Sequence, residues 1–163
     1  MVPIALMLYA AVLFVNAFFL LGRLEGKDVG PMNLIAGVLG ILASYFIFTS
    51  DPRGGATFAA LLVGTFAIVY LLVGASLVWG FSAAAAGYYS LFGLIVCVLF
   101  AFNVMNADSR LALMSVSYAV LFGLFAAVLA FGRSLQQLTG MYTLAVVFGA
   151  LIMPSFLMLT GRW

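Results

Sequence analysis

Long apolar runs alternate with brief polar interruptions along this chain, at a spacing that a lipid bilayer would set. A spanning helix needs roughly 20 apolar residues. Cutting at charges, Gly/Pro and polar clusters leaves six such runs: Pro3–Leu21, Pro31–Phe48, Ala56–Leu77, Tyr88–Val104, Leu111–Phe131 and Met141–Leu159. The first link is the charged turn Arg23-Leu24-Glu25-Gly26-Lys27-Asp28, and the second is Ser50-Asp51-Pro52-Arg53-Gly54-Gly55. The third, Phe81 to Gly87, carries no charge; the fourth is Asn106 to Arg110, and the fifth Gly132 to Gln137. Short links make neighbouring helices antiparallel. The pattern therefore predicts an all-α integral membrane protein, a single six-transmembrane-helix bundle over residues 1–163 with no room for a soluble domain. The N-terminal run lacks a basic leader and exceeds the usual 7–15 apolar residues of a signal peptide, so it reads as the first span.

Within the spans, polar positions are few. Asn16 lies about two-thirds of the way along the first run, where an amide without a partner would cost several kcal/mol; it should face protein or water rather than lipid. It has two readings: an internal hydrogen bond, or a polar point beside a solute path. Asn33 follows Pro31, which suits a helix's first turn, and is placed to tie down free backbone groups. Pro154, inside the sixth run, deprives the Ala150 carbonyl of its usual amide partner and should kink the helix. Ala36, Gly37, Gly40 and Ala43 in the second run and Gly149 in the sixth read as sites of close helix packing. Trp79, Tyr88, Tyr89, Tyr142 and Trp163 lie near predicted helix ends, as interfacial anchors would.

Composition sharpens this picture. Of 163 residues 67% are hydrophobic and 6% charged, against about 25% charged in a soluble domain. The six basic residues are scattered, which leaves nucleic acid without a binding patch. Cys97 is the sole cysteine and histidine is absent, so there is no intrachain disulfide and the commonest metal ligand is missing; no metal or cofactor is expected. Glu25, Asp28, Asp51 and Asp108, like the bases, all fall in predicted links or the tail. Proton-coupled carriers, pumps and voltage sensors hold such groups at depth. A chain without them most easily moves a neutral solute downhill. Cys97 has no visible base to activate it, which argues against an enzyme. The basic residues divide three and three between the two sides, so charge alone barely orients the chain; the pair Arg23 and Lys27 favours termini outside.

What remains for chemistry is aromatic and amide. Phe66 and Tyr70 are four apart and share a helix face, and Tyr118 and Phe122 repeat the spacing, with Phe125 three further on. A flat neutral amide fits between such rings and can pass its polar groups to a tyrosine hydroxyl or to Asn16. Ordinary packing is the competing reading of both stripes.

In order along the chain, Leu8-Tyr9 with Val12 to Asn16, Met32-Asn33 with Gly37 and Leu39, Phe66-x-x-x-Tyr70, Tyr89-Ser90-Leu91-Phe92 and the late Pro154 resemble the amide/urea channel family of bacterial membranes. This is the family of the acid-activated urea channel and the amide-operon transporter. The resemblance implies termini on the outer side, a homo-hexamer in the inner membrane with one channel per protomer, and uncoupled passage of urea, acetamide and other short amides. It implies a pore lined by Leu6, Leu13, Asn16, Phe66, Tyr70, Phe122 and Phe125, with Tyr118 near them. Where family members carry fifth-helix tryptophans, this chain has Tyr118, Phe122 and Phe125, and no acid stands at Val146 or Phe148. With no histidine and a short second link, the expectation is a passive channel without pH gating. A structural or assembly subunit of a larger membrane complex is the alternative from another class.

Overall fold

Runs that are apolar all round leave one way to satisfy the backbone in hydrocarbon, which is to pair every N–H with a carbonyl of the same segment. The computed structural model describes residues 1–51 and 56–163. Among these, six helices are long and apolar enough to cross a membrane. They are α1 (Val2–Leu20), α2 (Gly26–Ser50), α3 (Thr57–Trp79), α4 (Ala84–Val104), α5 (Ser109–Leu129) and a composite sixth span. That span joins α6 (Gln136–Val146), a π-helical segment (Val147–Ile152) and α7 (Met153–Leu159). Pro52 to Gly55 of the expected second link, with Arg53, lie outside the described residues.

The spans close into a ring in chain order. Each packs on the next, and α1 packs on the sixth span. Glycines permit the closest approaches. A Cβ on Gly37 would stand 2.5 Å from Leu71 and 2.9 Å from the Ala67 carbonyl of α3, and one on Gly87 would stand 2.3 Å from the Ala130 backbone nitrogen. Gly149 does not belong with them: it has open space around it and makes no close approach within the chain, where the sequence suggested one. Gly22 and Gly80 adopt φ of 73° and 71°, the left-handed conformation that ends a helix without a Cβ clash.

Three boundaries move outward from their predicted places, each for a local reason. α2 begins at Gly26 rather than Pro31, because the Asp28 carboxylate accepts the Glu25 backbone N–H at 3.0 Å and caps the helix a turn and a half earlier. Lys27 and Asp28 therefore sit in a first turn, not a loop. α4 begins at Ala84, since the small-residue link is largely alanine, the best helix former. The sixth span begins at Gln136, so Gln136 and Gln137 are helical.

The two asparagines pair across α1 and α2. Asn16 Nδ2 donates to Asn33 Oδ1 at 3.0 Å, Asn33 Nδ2 donates to Asn16 Oδ1 at 2.8 Å, and Asn33 also donates to the Val29 carbonyl at 3.0 Å. The internal-bond reading therefore holds for both; the Val29 carbonyl that Asn33 also serves lies inside α2, four residues back, and is not one of the free groups of the helix start. Replacing Asn16 with Leu strands Asn33 and is expected to cost about 1 kcal/mol. The double replacement of Asn16 and Asn33 by Leu should recover most of that, measured as thermal unfolding in detergent micelles. A double variant less stable than either single would contradict the pairing.

Of the expected interfacial anchors, Trp79 and Tyr88 are exposed at the helix ends, at 60% and 58%. The other three make contacts within the chain. Tyr89 packs against the core, Tyr142 donates to the Ser117 carbonyl at 3.2 Å, and Trp163 Nε1 donates to Asp108 Oδ2 at 2.9 Å. Asp108 also caps α5 through the N–H groups of Arg110 and Leu111 (2.9 and 3.3 Å), while Arg110 lies 4.6 Å from the Trp163 ring. Partial burial pushes the Asp108 carboxyl up, but the Trp163 indole, these backbone N–H groups and the Arg110 guanidinium outweigh it and hold it below the usual carboxylate range.

Candidate functional site

On α1, Leu6, Tyr9, Leu13 and Asn16 recur every three or four residues and share the face that turns inward; all four are buried. α3 offers Val63, Phe66 and Tyr70 in the same rhythm, and α5 offers Ser115, Tyr118, Phe122 and Phe125. The three faces meet on the axis of the ring.

Two cavities lie along that axis. The one on the side of the chain termini encloses about 270 Å³ and is lined by Leu6, Leu62, Phe100, Met114, Ser115, Tyr118 and Met158, among others. The one on the opposite side is small, about 40 Å³, and is lined by Asn16, Phe19, Val69, Tyr70 and Phe125, among others. Between them in depth stand Phe66 and Phe122, whose ring centroids are 4.5 Å apart. Phe66 also meets the Tyr118 ring edge-on at 5.3 Å and lies 5.7 Å from Tyr9 and 6.3 Å from Tyr70. Rings at such distances are in van der Waals contact, so the two cavities are divided by one aromatic layer drawn from α1, α3 and α5.

The expected residues fall at three depths. Leu6 and Tyr118 line the terminal-side cavity; Asn16, Tyr70 and Phe125 line the opposite one; Phe66 and Phe122 form the layer. Leu13 is fully buried at the depth of the layer, one turn from both Tyr9 and Asn16, and lines neither cavity. Val146 and Phe148 stand apart: Val146 borders an external groove between α5 and the sixth span, and Phe148 is 56% exposed beside Phe14.

Hydroxyl groups distinguish the tyrosines. Tyr9 donates to the Val63 carbonyl at 2.6 Å. Tyr118 donates at 2.5 Å to the Ala150 carbonyl, the one that Pro154 cannot serve. At this level the sixth span carries a π segment rather than plain α-helix, and Tyr118 reaches its Ala150 carbonyl from α5. Tyr70, by contrast, is 2% exposed and its hydroxyl has no partner. The other such atom among the described residues is Ser115 Oγ. Tyr70 borders the small cavity and Ser115 the large one, so a buried polar group without a partner faces each side of the layer.

Tyr9 and Ser115 were not among the residues expected here. Their spacing was available: Tyr9 precedes Leu13 by four and Ser115 precedes Tyr118 by three, so each continues a stripe already identified. Neither carries a charge, and a serine hydroxyl in an apolar helix usually satisfies itself on its own backbone.

Acids and bases in the described helices sit at their ends, at Lys27, Asp28 and Arg110. No group of three or more His, Cys, Asp or Glu side chains is placed to hold a metal among the described residues, and Cys97 is buried.

A family model described as the AmiS/UreI family transporter matches residues 1–162. A Rhodococcus erythropolis protein named as the transporter AmiS2 is 31% identical over 98% of this chain and 80% of its own length. A Mycolicibacterium smegmatis protein named as an amidate substrates transporter is 26% identical over 98% of this chain and 77% of its own. Among solved structures, the crystal structure of the Helicobacter pylori urea channel superposes with a TM-score of 0.89 at 19% identity, over 100% of this chain and 99% of that one. The cryo-electron microscopy structure of that channel in a closed state gives 0.89 at 18%, over the whole of both chains. At these identities the likeness is one of fold, and it confirms the all-helical, six-span architecture. With the family model spanning the chain and a relative above 30% identity, this multi-pass membrane protein belongs to the AmiS/UreI transporter family.

Proposed function

We propose that the chain is a passive channel for small neutral amides (urea, acetamide and other short-chain amides) in a bacterial inner membrane, working as a homo-hexamer with one pore per protomer. The observation that carries this reading is the pair of axial cavities separated by a single aromatic layer, with no acidic or basic side chain at that depth among the described residues. A neutral solute crosses such a layer without the desolvation cost that a charge would meet. Rings in contact at 4.5 Å must part for it, and a planar amide needs the narrowest opening. Leu6 and Tyr118 then line the entry, Phe66, Phe122 and Leu13 the constriction, and Asn16, Tyr70 and Phe125 the exit, with the Tyr70 hydroxyl accepting or donating as the solute emerges. The name of one relative, an amidate substrates transporter, supports the same solute class. A purely structural subunit has no use for two cavities on one axis.

The test is stopped-flow light scattering on proteoliposomes with urea, acetamide and glycerol gradients. Amide entry should exceed that of empty liposomes while glycerol stays slow. Flux should differ by less than about twofold between about pH 5 and pH 7.5, because the chain has no histidine to titrate there. The Asp108 clasp follows the same rule. Its pKa is depressed on folding, so its contribution is complete above the ordinary carboxylate range near pH 4 and is lost only as pH falls through the lower folded value. A clear acid activation of flux would contradict the ungated reading.

A further inference from the structure

We propose that the Ser115 hydroxyl is the solute-binding group of the terminal-side cavity, seating the carboxamide head of an aliphatic monoamide whose alkyl tail lies on the cavity's apolar wall. The inference rests on the channel reading above.

In an apolar helix a Ser or Thr hydroxyl commonly donates to the carbonyl one turn back. Thr65, Ser90, Ser117 and Thr143 do so here, at 2.8, 2.8, 3.0 and 2.7 Å. Ser115, two residues from Ser117 on the same helix, is 1% exposed and its Oγ has no partner. It borders the 270 Å³ cavity, where the other lining hydroxyl, that of Tyr118, is already committed to the Ala150 carbonyl. A buried hydroxyl without a partner weakens a fold. Placed at the wall of a cavity large enough for a small solute, it is matched to a partner that comes and goes.

The chemistry of the cavity sets the class of solute. One hydroxyl donates a single hydrogen bond and accepts up to two, which serves the carbonyl and an N–H of one carboxamide. Urea carries a second NH₂ where a monoamide carries carbon. Here that group would face side chains such as Leu6, Leu62, Met114 and Met158 and lose its water without replacement. An alkyl group in the same place gains about fourfold in partition for each methylene buried. The two methionines are unbranched and adapt to tails of different shape. The expected order of entry is therefore propionamide, then acetamide, then urea.

The experiment compares wild type, Ser115→Ala and Ser115→Thr, by stopped-flow entry of the three solutes and by thermal unfolding in detergent with and without propionamide. Ser115→Ala should lower propionamide entry by about tenfold, and Ser115→Thr, which keeps the hydroxyl, should retain most of it. Removing an unpartnered buried hydroxyl should leave the Tm of Ser115→Ala unchanged or raised. Propionamide should raise the Tm of wild type and Ser115→Thr but not that of Ser115→Ala. The proposal is overturned if Ser115→Ala conducts propionamide at the wild-type rate, if it unfolds at a lower temperature, as a lost structural bond would require, or if wild type prefers urea. Wild type without accelerated entry of any amide would instead sink the channel reading; a propionamide-dependent Tm rise abolished in Ser115→Ala would still support the site.

Discussion

Phe122→Ala is expected to admit glycerol and to accelerate amide entry, removing the selectivity of the protein while leaving it folded. The Phe122 ring closes the axis against Phe66 at 4.5 Å and is fully buried. Its neighbour on α4 is Gly93, which has no side chain that could swing in to refill the space. The gap left by the ring therefore persists, and it lies on the line joining the two cavities. Losing a buried Phe costs about 3–5 kcal/mol, so the variant should unfold at a lower temperature yet remain folded under assay conditions. Glycerol entry should rise by about tenfold or more, the loss of roughly 1.4 kcal/mol of barrier. The opposite change comes from α4. A Cβ on Gly93 would stand 2.9–3.0 Å from three atoms of the Phe122 ring. Gly93→Val should drive the ring toward Phe66 and reduce amide entry several-fold. Both variants are read by the same stopped-flow assay, with circular dichroism and gel filtration to establish folding. A folded Phe122→Ala protein with unaltered amide and glycerol rates would place the solute path elsewhere.

The second large effect concerns the sixth span. Tyr118→Phe removes a single oxygen and with it the hydroxyl that donates to the buried Ala150 carbonyl, to which Pro154 has no N–H to offer. A buried carbonyl stranded in this way costs about 1–3 kcal/mol. The bond also pins the π segment against α5 at the level where Tyr118 meets Phe66 edge-on, so its loss should loosen the aromatic layer and change amide entry along with stability. Pro154→Ala supplies the missing amide. In an α-helical register that amide serves the Ala150 carbonyl, and Tyr118→Phe should then cost less by about 0.5–3 kcal/mol, the range for groups in one hydrogen-bond network. The measurement is a double-mutant cycle on thermal unfolding in detergent. Strict additivity of the two substitutions would mean that the proline and the tyrosine do not serve the same carbonyl.

The residues divide plainly between what a linear reading reaches and what it does not. Six spans were legible because a bilayer imposes a fixed apolar length, and 163 residues with 6% charge leave no other arrangement. The inward faces were legible as stripes at helical spacing, which is why Phe66 with Tyr70 and Tyr118 with Phe122 could be named. The loss of a partner at Ala150 followed from Pro154 alone, because proline chemistry is local. Helix starts were less legible, for Glu25 and Asp28 look like a loop until their backbone bond closes, and alanines after Phe81 carry no sign of where a helix begins.

Partners across helices lay beyond the sequence. Nothing in the chain says that Asn16 meets Asn33, that Tyr118 caps Ala150, or that Trp163 reaches Asp108, 55 residues away. Each bond joins elements whose relative rotation and depth are set by many small packing contacts, glycine against side chain above all, and these sum only in three dimensions. The same is true of what is left unpaired. The sequence by itself determined a membrane bundle with aromatic inner faces and no charge at depth. Only the tertiary structure decided that Tyr9 and Tyr118 spend their hydroxyls on backbone while Tyr70 and Ser115, beside the two cavities, have none within reach, because whether a polar group is satisfied depends on what the fold brings within about 3 Å of it.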